Sequence, residues 1–587
     1  MPAALYASYA GGMNAAAENP RNLRTEQLRL LVNGTVRTGW AAPRPPFKAR
    51  EMLWMDVRAQ SLWETGVCQG VGVFNSTFGS CLVFAFDGRL LRLDLETMRI
   101  SHVYPEGTDS SKPLFNPKLP FVFFEQRAGW LVVQDGTSRP VLVNQTAILQ
   151  QPIEVGMMRT GTLMADGWGR LAVADHGRRR IYFSDHEFDP SSGPLAFTEA
   201  NAYFKNARFF EVPATLGRIM AMAFGPALNG NDDKGALLVF CESGTRAYNV
   251  SIPRDQWITS DIGATILPKV GACAHRAVVA RGNDVIFSDH NGRIQSMASA
   301  ISRQQDARID PIDAEVWDLY RTEDATLRAH RYAVEFDDRV LTTVQPERIR
   351  RFDGRHHVRH RGLVVLQNDA VIPVEPVWDG LWTGVFPVCM ATARVGGRPR
   401  CFILSFDSDH RHRLYELGVE IGHDLAPAPK ATPMIASLRP TDLDNPFRSK
   451  PIAGVSMRLG DARGLVKIKG WWQVDRGATQ TWFNHSLQSP ACLGFSDCGI
   501  QLPAPSQSAR INLPRPEHPD FFEASPIFEI TGLATLQEVA IETGEPKSDP
   551  NTPNVTGCSD PEPLAADYTC RMDLFSYDLQ KAPPTAL

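Results

Sequence analysis

Apolar and polar residues alternate with period two through much of the chain, in short runs that break at Asp-Gly, Asn-Gly or Ser-Gly. Such alternation puts every second side chain on the same face of a strand. The clearest instance is residues 167–185, GWGRLAVADHGRRRIYFSD. Leu171 and Val173 share one face of a first strand, Ile181 and Phe183 one face of a second, and Asp175-His176-Gly177 supplies the turn. Asp tolerates left-handed backbone and Gly adopts it without steric cost, so the unit reads as a hairpin with Gly177 at positive φ. The unit recurs at Asp87-Gly88 (CLVFAFDGRLLRLDL), Asp135-Gly136 (WLVVQDGTSRPVLV), Ser243-Gly244 (ALLVFCESGTRAYNV), Asn291-Gly292 (DVIFSDHNGRIQSM), Asp353-Gly354 (FDGRHHVRH) and Asp379-Gly380 (PVWDGLWTGV). Gly292 is expected at positive φ for the same reason. Recurrence every ~40–60 residues suits a four-stranded propeller blade, and favours a ring of blades over a sandwich whose hairpins never close.

The pattern therefore predicts a mainly β chain: a β-propeller-like body over residues 51–418, a smaller C-terminal β-domain over 441–587, and an extended N-terminal arm within 1–50. Residues 1–19 are small and polar, with too little apolar surface to order except against something else. In TEQLRLLV (25–32), Leu28, Leu31 and Val32 stand at helical spacing between a Thr25 cap and an Asn33-Gly34 stop, which predicts a short helix. A helical insertion is expected over about 302–322, with Asp313 capping a helix that ends near Tyr320. Pro427, Pro429 and Pro433 make 419–440 linker-like. Beyond it, GVSMRLG, GLVKIKGWWQV, SARINL, PIFEITGL and TLQEVAIET read as strands. The acidic, proline-rich tail EPKSDPNTPNVTGCSDPEPLAADYTC is expected to run over a surface.

Composition narrows the function classes. A formal net charge of −4 over 587 residues argues against a dedicated DNA reader. No window approaches the ~18 uninterrupted apolar residues of a membrane span. The start MPAALYASYAGGMN has no basic segment and no long apolar run, so no signal peptide is expected, and ten cysteines then suggest synthesis in a reducing cytoplasm. Cys68, Cys81, Cys241, Cys273, Cys389 and Cys401 are scattered singly, several in apolar runs, and are expected as buried thiols. Cys492, Cys498, Cys558 and Cys570 lie in turn-rich, hydrophilic stretches. Two disulfides formed after release to an oxidising exterior and four free thiols are both open there; zinc is disfavoured because no C-x-x-C occurs.

Candidate chemistry is thin. RHHVRH (355–360) carries His357 and His360 without the i, i+4 helical spacing and intervening acid of a zinc enzyme, and reads as a basic, solvated hairpin edge. SDHRHRL (408–414) reads the same way. NGNDDKG (229–235) and DSDH (407–410) lack the calcium-loop spacing. SDHNGRIQS (288–296) resembles a sialidase Asp-box without its closing aromatic, which is a structural turn in any case. Neither a glycine-rich phosphate cradle nor a G-x-S-x-G elbow occurs. No catalytic, cofactor-binding or metal residue is assigned, no cofactor is expected, and the chain is not expected to be an enzyme.

EQLRLLVNGTVRTGW leads into RPPF. There follow, in order, LVFAFDGRLLRLDL, RAGWLVVQDGTSRPVLVN, MADGWGRLAVADHGRRRIYFSD, GNDVIFSDHNGRIQSM and VEPVWDGLWTGVFPVCMATARVGGRPRCFILSF. Up to about Leu417, and more weakly beyond, this succession resembles a family of bacteriophage tail proteins, the tail nozzle (tail tubular protein B) of short-tailed phages. The resemblance implies a non-catalytic propeller subunit of the virion tail, made in the host bacterial cytoplasm. Its implied partners are copies of itself in a hexameric ring below the portal, adaptor (head-to-tail connector) proteins, and tail fibres or spikes. Viral double-stranded DNA would pass through the lumen without sequence-specific binding. The chain is shorter than typical nozzles, which leaves the completeness of tip and fibre-docking domains open. Charged residues 304–324, with Arg308 and Arg321, are the candidate for one side of a ring contact. A tail-associated receptor-binding module and a polysaccharide-degrading propeller are the alternatives. The second needs two carboxylates ~5–9.5 Å apart, and Asp residues in turns offer no evident pair.

Overall fold

The computed structural model describes residues 4–543 apart from 16–22, 78, 128, 152–157, 185–208, 227–233, 253–255, 258–261, 283, 305–310, 368–375, 419–431, 442–449, 476, 490–491, 495–500, 504–506, 515–519 and 522. Two compact units form: Met13–Ala16 with Arg44–Lys430, and Met1–Gly12 with Ala17–Pro43 and Ala431–Leu587.

The first unit is a β-propeller. Each blade is an antiparallel meander whose first strand lies innermost. Cys68–Ser76, Phe123–Arg127, Gly161–Gly167, Ile219–Phe224, Val278–Arg281, Ala333–Phe336 and Pro387–Val395 follow one another round a ring, and the last of them neighbours the first. Among the described residues six such sheets are self-contained. The meander Ala333–Phe336, Arg339–Arg350, His356–Gln367 and Val377–Trp382 stands between the fifth and the last of them. The last blade is completed from the other end of the unit. Phe47–Arg50 pairs antiparallel with His412–Leu417, Phe47 opposite Leu417 and Arg50 opposite Leu414, so the body begins before residue 51. Strand alternation supplies the core: Leu82, Phe84, Phe86 and Leu91 of the first blade pack in one cluster with Ile403, Leu404 and Leu414 of the last. Each such side chain contributes about 1.5–3 kcal/mol by leaving water.

Among the described residues two α-helices decorate the ring. Val57–Thr65, unforeseen in the sequence, starts at Asp56, whose Oδ1 accepts from the Ala59 amide at 2.6 Å, and buries Leu62 and Trp63. The fifth blade has three strands, and helix Met297–Gln304 follows Ile294–Ser296 where a fourth would run. The expected cap at Asp313 is not formed. Its fully buried carboxylate accepts from Arg293 Nε and the Ile294 amide, each at 2.8 Å, and from the Tyr320 hydroxyl. Only the 3-10 turn Trp317–Leu319 forms nearby, because the guanidinium and the phenol occupy the oxygens a cap needs. Arg308 lies outside the described residues.

The turns follow the sequence with two exceptions. Asp87 (φ 48°) and Gly88 (φ 73°) are the left-handed pair of a type I′ turn, and Gly292 has φ 83°. Gly177 is not left-handed; Arg178 is, with φ 53°. Here Asp175 Oδ1 accepts from the Arg179 and Arg180 amides at 2.8 and 3.1 Å, which moves the reversal one residue along. Asp379-Gly380 is no turn. Both lie inside strand Val377–Trp382, where Asp379 is buried against Arg339 Nε at 2.8 Å.

The second unit is organised on two long strands, Lys450–Val474 and Ala524–Thr543, paired antiparallel through several register shifts. The sequence showed each as two separate runs. Asp461 (φ 52°), Gly464 (φ 65°) and Gly532 (φ 118°) mark the bulges that join them. Gln507–Leu513 flanks one half of the longer strand and Thr479–Ser489 the other. Buried Met457, Leu459, Val466, Ile468, Phe528, Ile530 and Val539 belong to these two strands.

Three expectations are corrected in this unit. The helix expected over 25–32 is instead a turn followed by strand Leu30–Val32, paired with Met434–Ser437. All three of its residues are buried, and a partner strand outweighs helical spacing. Met434–Ser437 also pairs with the long strand Ala524–Thr543, so the end of the expected linker 419–440 is a central strand. The described part of the N-terminal arm is ordered against its own chain. Ala4–Tyr6 pairs with residues 539–541, the Tyr9 amide donates to Gly39 O at 2.9 Å, and Tyr6 and Tyr9 are buried. Those two aromatics supply the apolar surface that its composition understated. The side chain of Cys492, the whole of Cys498, Cys558 and Cys570, and the proline-rich tail lie outside the described residues.

Gly292→Val should lower stability by more than about 1 kcal/mol, because a β-branched residue is disfavoured at positive φ. A Cβ there would also sit 2.9 Å from Arg328 Nε. Gly177→Val, at an exposed site without left-handed backbone, should stay within about 0.5 kcal/mol. Thermal melts of the two variants check the turn geometry; equal losses would contradict it.

Candidate functional site

A cavity of about 550 Å³ opens along the propeller axis. Val71, Glu125, Asp166, Phe224, Arg281 and Met390, each from a different blade, line it. Alternation brings them together: the inner strand of each blade turns one face to its neighbours and presents its remaining residues to the axis.

Acidic and basic groups meet on one wall. The Asp166 amide donates to Glu125 Oε1 at 3.0 Å, Arg127 Nη1 pairs with Asp166 Oδ1 at 3.0 Å, and Lys234 donates to the Asp166 carbonyl. Burial, and then the Asp166 carboxylate, push Glu125 up to about 8, against the opposing pull of Lys234 and of the Asp166 amide. The cavity leaves Glu125 half-buried, so water within it tempers the shift. At neutral pH Glu125 is a protonated acid beside a carboxylate already bound by Arg127. These residues are far apart in sequence and follow no motif.

Arg276 separates this cavity from a second, of about 690 Å³, and lines both. Its Nη2 donates to Gln69 O at 2.8 Å and Val122 O at 2.6 Å, and its guanidinium lies over the rings of Phe121 and Tyr332 at 5.0 and 5.1 Å. The glycine of QGVGV allows this approach: a Cβ on Gly70 would stand 2.4 Å from Nη2. The second cavity carries mostly one sign of charge. Arg89, Lys118, Arg276, Arg348 and Arg355 line it together with Asp87, which pairs with Arg355 at 2.7 Å. Half-buried Cys68 opens onto it.

The histidine runs are not solvated edges. His357 and His360 are buried, and so is His412 of SDHRHRL. His357 stacks on Phe406 with centroids 4.3 Å apart, His360 Nδ1 meets Pro387 O at 3.0 Å, and His412 Nδ1 meets Trp63 O at 2.8 Å. They fill the seams between blades, and burial drives them down to about 4, 3 and 3, respectively. In SDHRHRL alternation turns Arg411 and Arg413 outward and His412 in; His357 and His360, three residues apart, point to opposite faces of their strand, and both faces are covered there. Among the described residues no cluster of three His, Cys, Asp or Glu side chains could hold a metal ion. Most of NGNDDKG lies outside the described residues.

No family model and no curated protein matches the chain. Solved structures similar to it include a mitotic checkpoint complex (10% identity, 65% of this chain and 96% of that one, TM-score 0.34). Others are the Neurospora crassa Pan2 WD40 domain (9%, 61% and 90%, 0.33) and BamB from Moraxella catarrhalis (11%, 67% and 96%, 0.33). Likeness at this level carries no argument about function, and the propeller assignment rests on the closed ring of inner strands.

Glu125→Gln tests the electrostatics of the wall. A carboxyl raised from 4.5 to about 8 holds a proton that the unfolded chain releases, so its contribution is full below 4.5 and is lost as pH rises towards about 8. The variant's melting temperature should therefore gain on the wild type's across that window. A difference that does not change with pH would show Glu125 ionised in the folded chain.

Proposed function

We propose that the chain is a non-catalytic structural subunit of a bacteriophage tail, a nozzle-type ring component around the DNA-ejection channel. The observation that carries the non-catalytic part is that buried charge in the propeller is satisfied from within. Asp166 is paired with Arg127, Glu323 with Arg331, Asp313 with Arg293 and Asp379 with Arg339. Groups held in this way stiffen a body and leave little free to act on a substrate. Rigid blades, and a second unit built on strands of 25 and 20 residues, suit a part that bears load. The tail location, the sixfold ring, the adaptor and fibre partners and the passing DNA rest on the family resemblance of the sequence.

A polysaccharide-cleaving propeller is the second reading. It is favoured by one observation, a Glu125 carboxyl pushed up to about 8 beside the Asp166 carboxyl group in an axial cavity, as a general acid requires. Against it, the Asp166 carboxylate is already held by Arg127.

Cryo-EM of particles carrying this chain should show it as a ring at the end of the tail. Arg321 pairs with Asp318 at 3.3 Å on an exposed turn, so Arg321→Glu should leave the melting temperature of the isolated chain nearly unchanged. It should nevertheless reduce ring assembly, measured by sedimentation. Assembly unaffected by the charge reversal would remove residues 304–324 from the contact. Polysaccharide cleavage by the particles, lost on Glu125→Gln, would replace the structural reading with the enzymatic one.

A further inference from the structure

Cys68 lies at the start of the innermost strand of the first blade, and Cys389 on the innermost strand of the last. Their Sγ atoms stand 3.9 Å apart, although 321 residues separate them in sequence. Other thiols of the body, Cys81, Cys241, Cys273 and Cys401, are buried. Cys389 is buried too, but Cys68 is half-buried and lines the basic cavity, so a small solute entering that cavity reaches the pair through Cys68.

We propose that Cys68 and Cys389 form an oxidisable dithiol, in which hydrogen peroxide or another small hydroperoxide converts the pair to a disulfide that fastens the first blade to the last.

The sulfurs stand 3.9 Å apart on strands that are neighbours in the ring, and must close to about 2.05 Å to form the bond. The electrostatics are asymmetric. Burial raises Cys68, but the hydrogen bond from Cys389, a backbone hydrogen bond at Gly70 and the Arg276 charge outweigh it and bring that thiol down. Burial, and then Cys68 itself, hold Cys389 well above the ordinary range. Cys68 is therefore the sulfur that attacks and Cys389 the one that resolves.

The steps balance with the peroxide as oxidant. The Cys68 thiolate attacks one peroxide oxygen, the O–O bond breaks, and the departing hydroxide takes up the proton that Cys68 released on ionising and leaves as water, giving a sulfenic acid at Cys68. Cys389 sulfur then attacks Cys68 sulfur. The S–S bond forms, the S–O bond breaks, and the departing oxygen leaves as water with the proton of Cys389. The two thiols lose two electrons and the peroxide gains them.

The seam so fastened is also where Phe47–Arg50 completes the last blade. A covalent tie there restrains the opening of the ring as well as closing a very long loop in the unfolded chain.

The test uses the full-length chain, reduced, exposed to hydrogen peroxide, alkylated and digested. The expected result is a peptide pair cross-linked through Cys68 and Cys389, reverted by dithiothreitol, with a melting temperature raised by about 3–6 °C in the oxidised protein. Cys389→Ser should instead trap the sulfenic acid at Cys68 as a dimedone adduct, and Cys401→Ser should leave the cross-link intact. Recovery of both residues alkylated after peroxide treatment would overturn the proposal, as would over-oxidation of Cys68 in the wild type without any cross-link. The wild-type measurement does not depend on the variants folding.

Discussion

Pairing of Phe47–Arg50 with His412–Leu417 is the contact on which the propeller depends. A ring of sheets whose chain simply ran round and stopped would leave the last blade with an open edge facing the first. Here the outermost strand of that blade comes from the start of the unit, so opening the ring means breaking a β-ladder together with the cluster that joins Phe84 and Phe86 to Ile403 and Leu404. The same pairing accounts for His412, whose ring meets the carbonyl of Trp63 on the helix of the first blade. Interlocking at the seam makes the body one mechanical unit.

Burial of charge is the second organising feature. Arg331 with Glu323 and Arg339 with Asp379 lie out of water, and half-buried Arg293 covers the fully buried Asp313. Pairs of this kind add little net stability over apolar packing, yet removing one partner strands the other in a medium that cannot solvate it. The Arg293–Asp313 pair, and the hydrogen bond from Arg331 Nη1 to Gly292 O at 2.6 Å, tie the irregular segment 311–332 to the fifth blade. The two cavities differ in kind. The wall of the first holds Glu125 beside a paired Asp166, whereas the cavity beyond Arg276 collects cations and one reachable thiol.

Legibility in the sequence divided along the range of the interactions. Hairpins at Asp87-Gly88 and Asn291-Gly292 were readable because turn chemistry and alternation lie within a few residues of each other. The reading failed at Asp379-Gly380, whose turn-like pair is claimed by the distant Arg339, and at Asp313, whose capping oxygens are taken by Arg293 and Tyr320. It failed again at residues 30–32, where helical spacing lost to a partner strand. Nothing marked Glu125 and Asp166 as neighbours, and RHHVRH looked solvated because every residue in it but Val358 is basic.

By itself, then, the sequence determined a mainly β chain of repeated hairpins, most of the strands and most of the turns, since each depends on residues close along the backbone. Tertiary structure decided which strand closes the ring, that Arg276 parts two cavities, that the histidines fill seams, and that Cys68 meets Cys389 across 321 residues. These are meetings of side chains carried on different blades. They are set by the curvature and closure of the whole sheet array, a property that no local window of sequence contains.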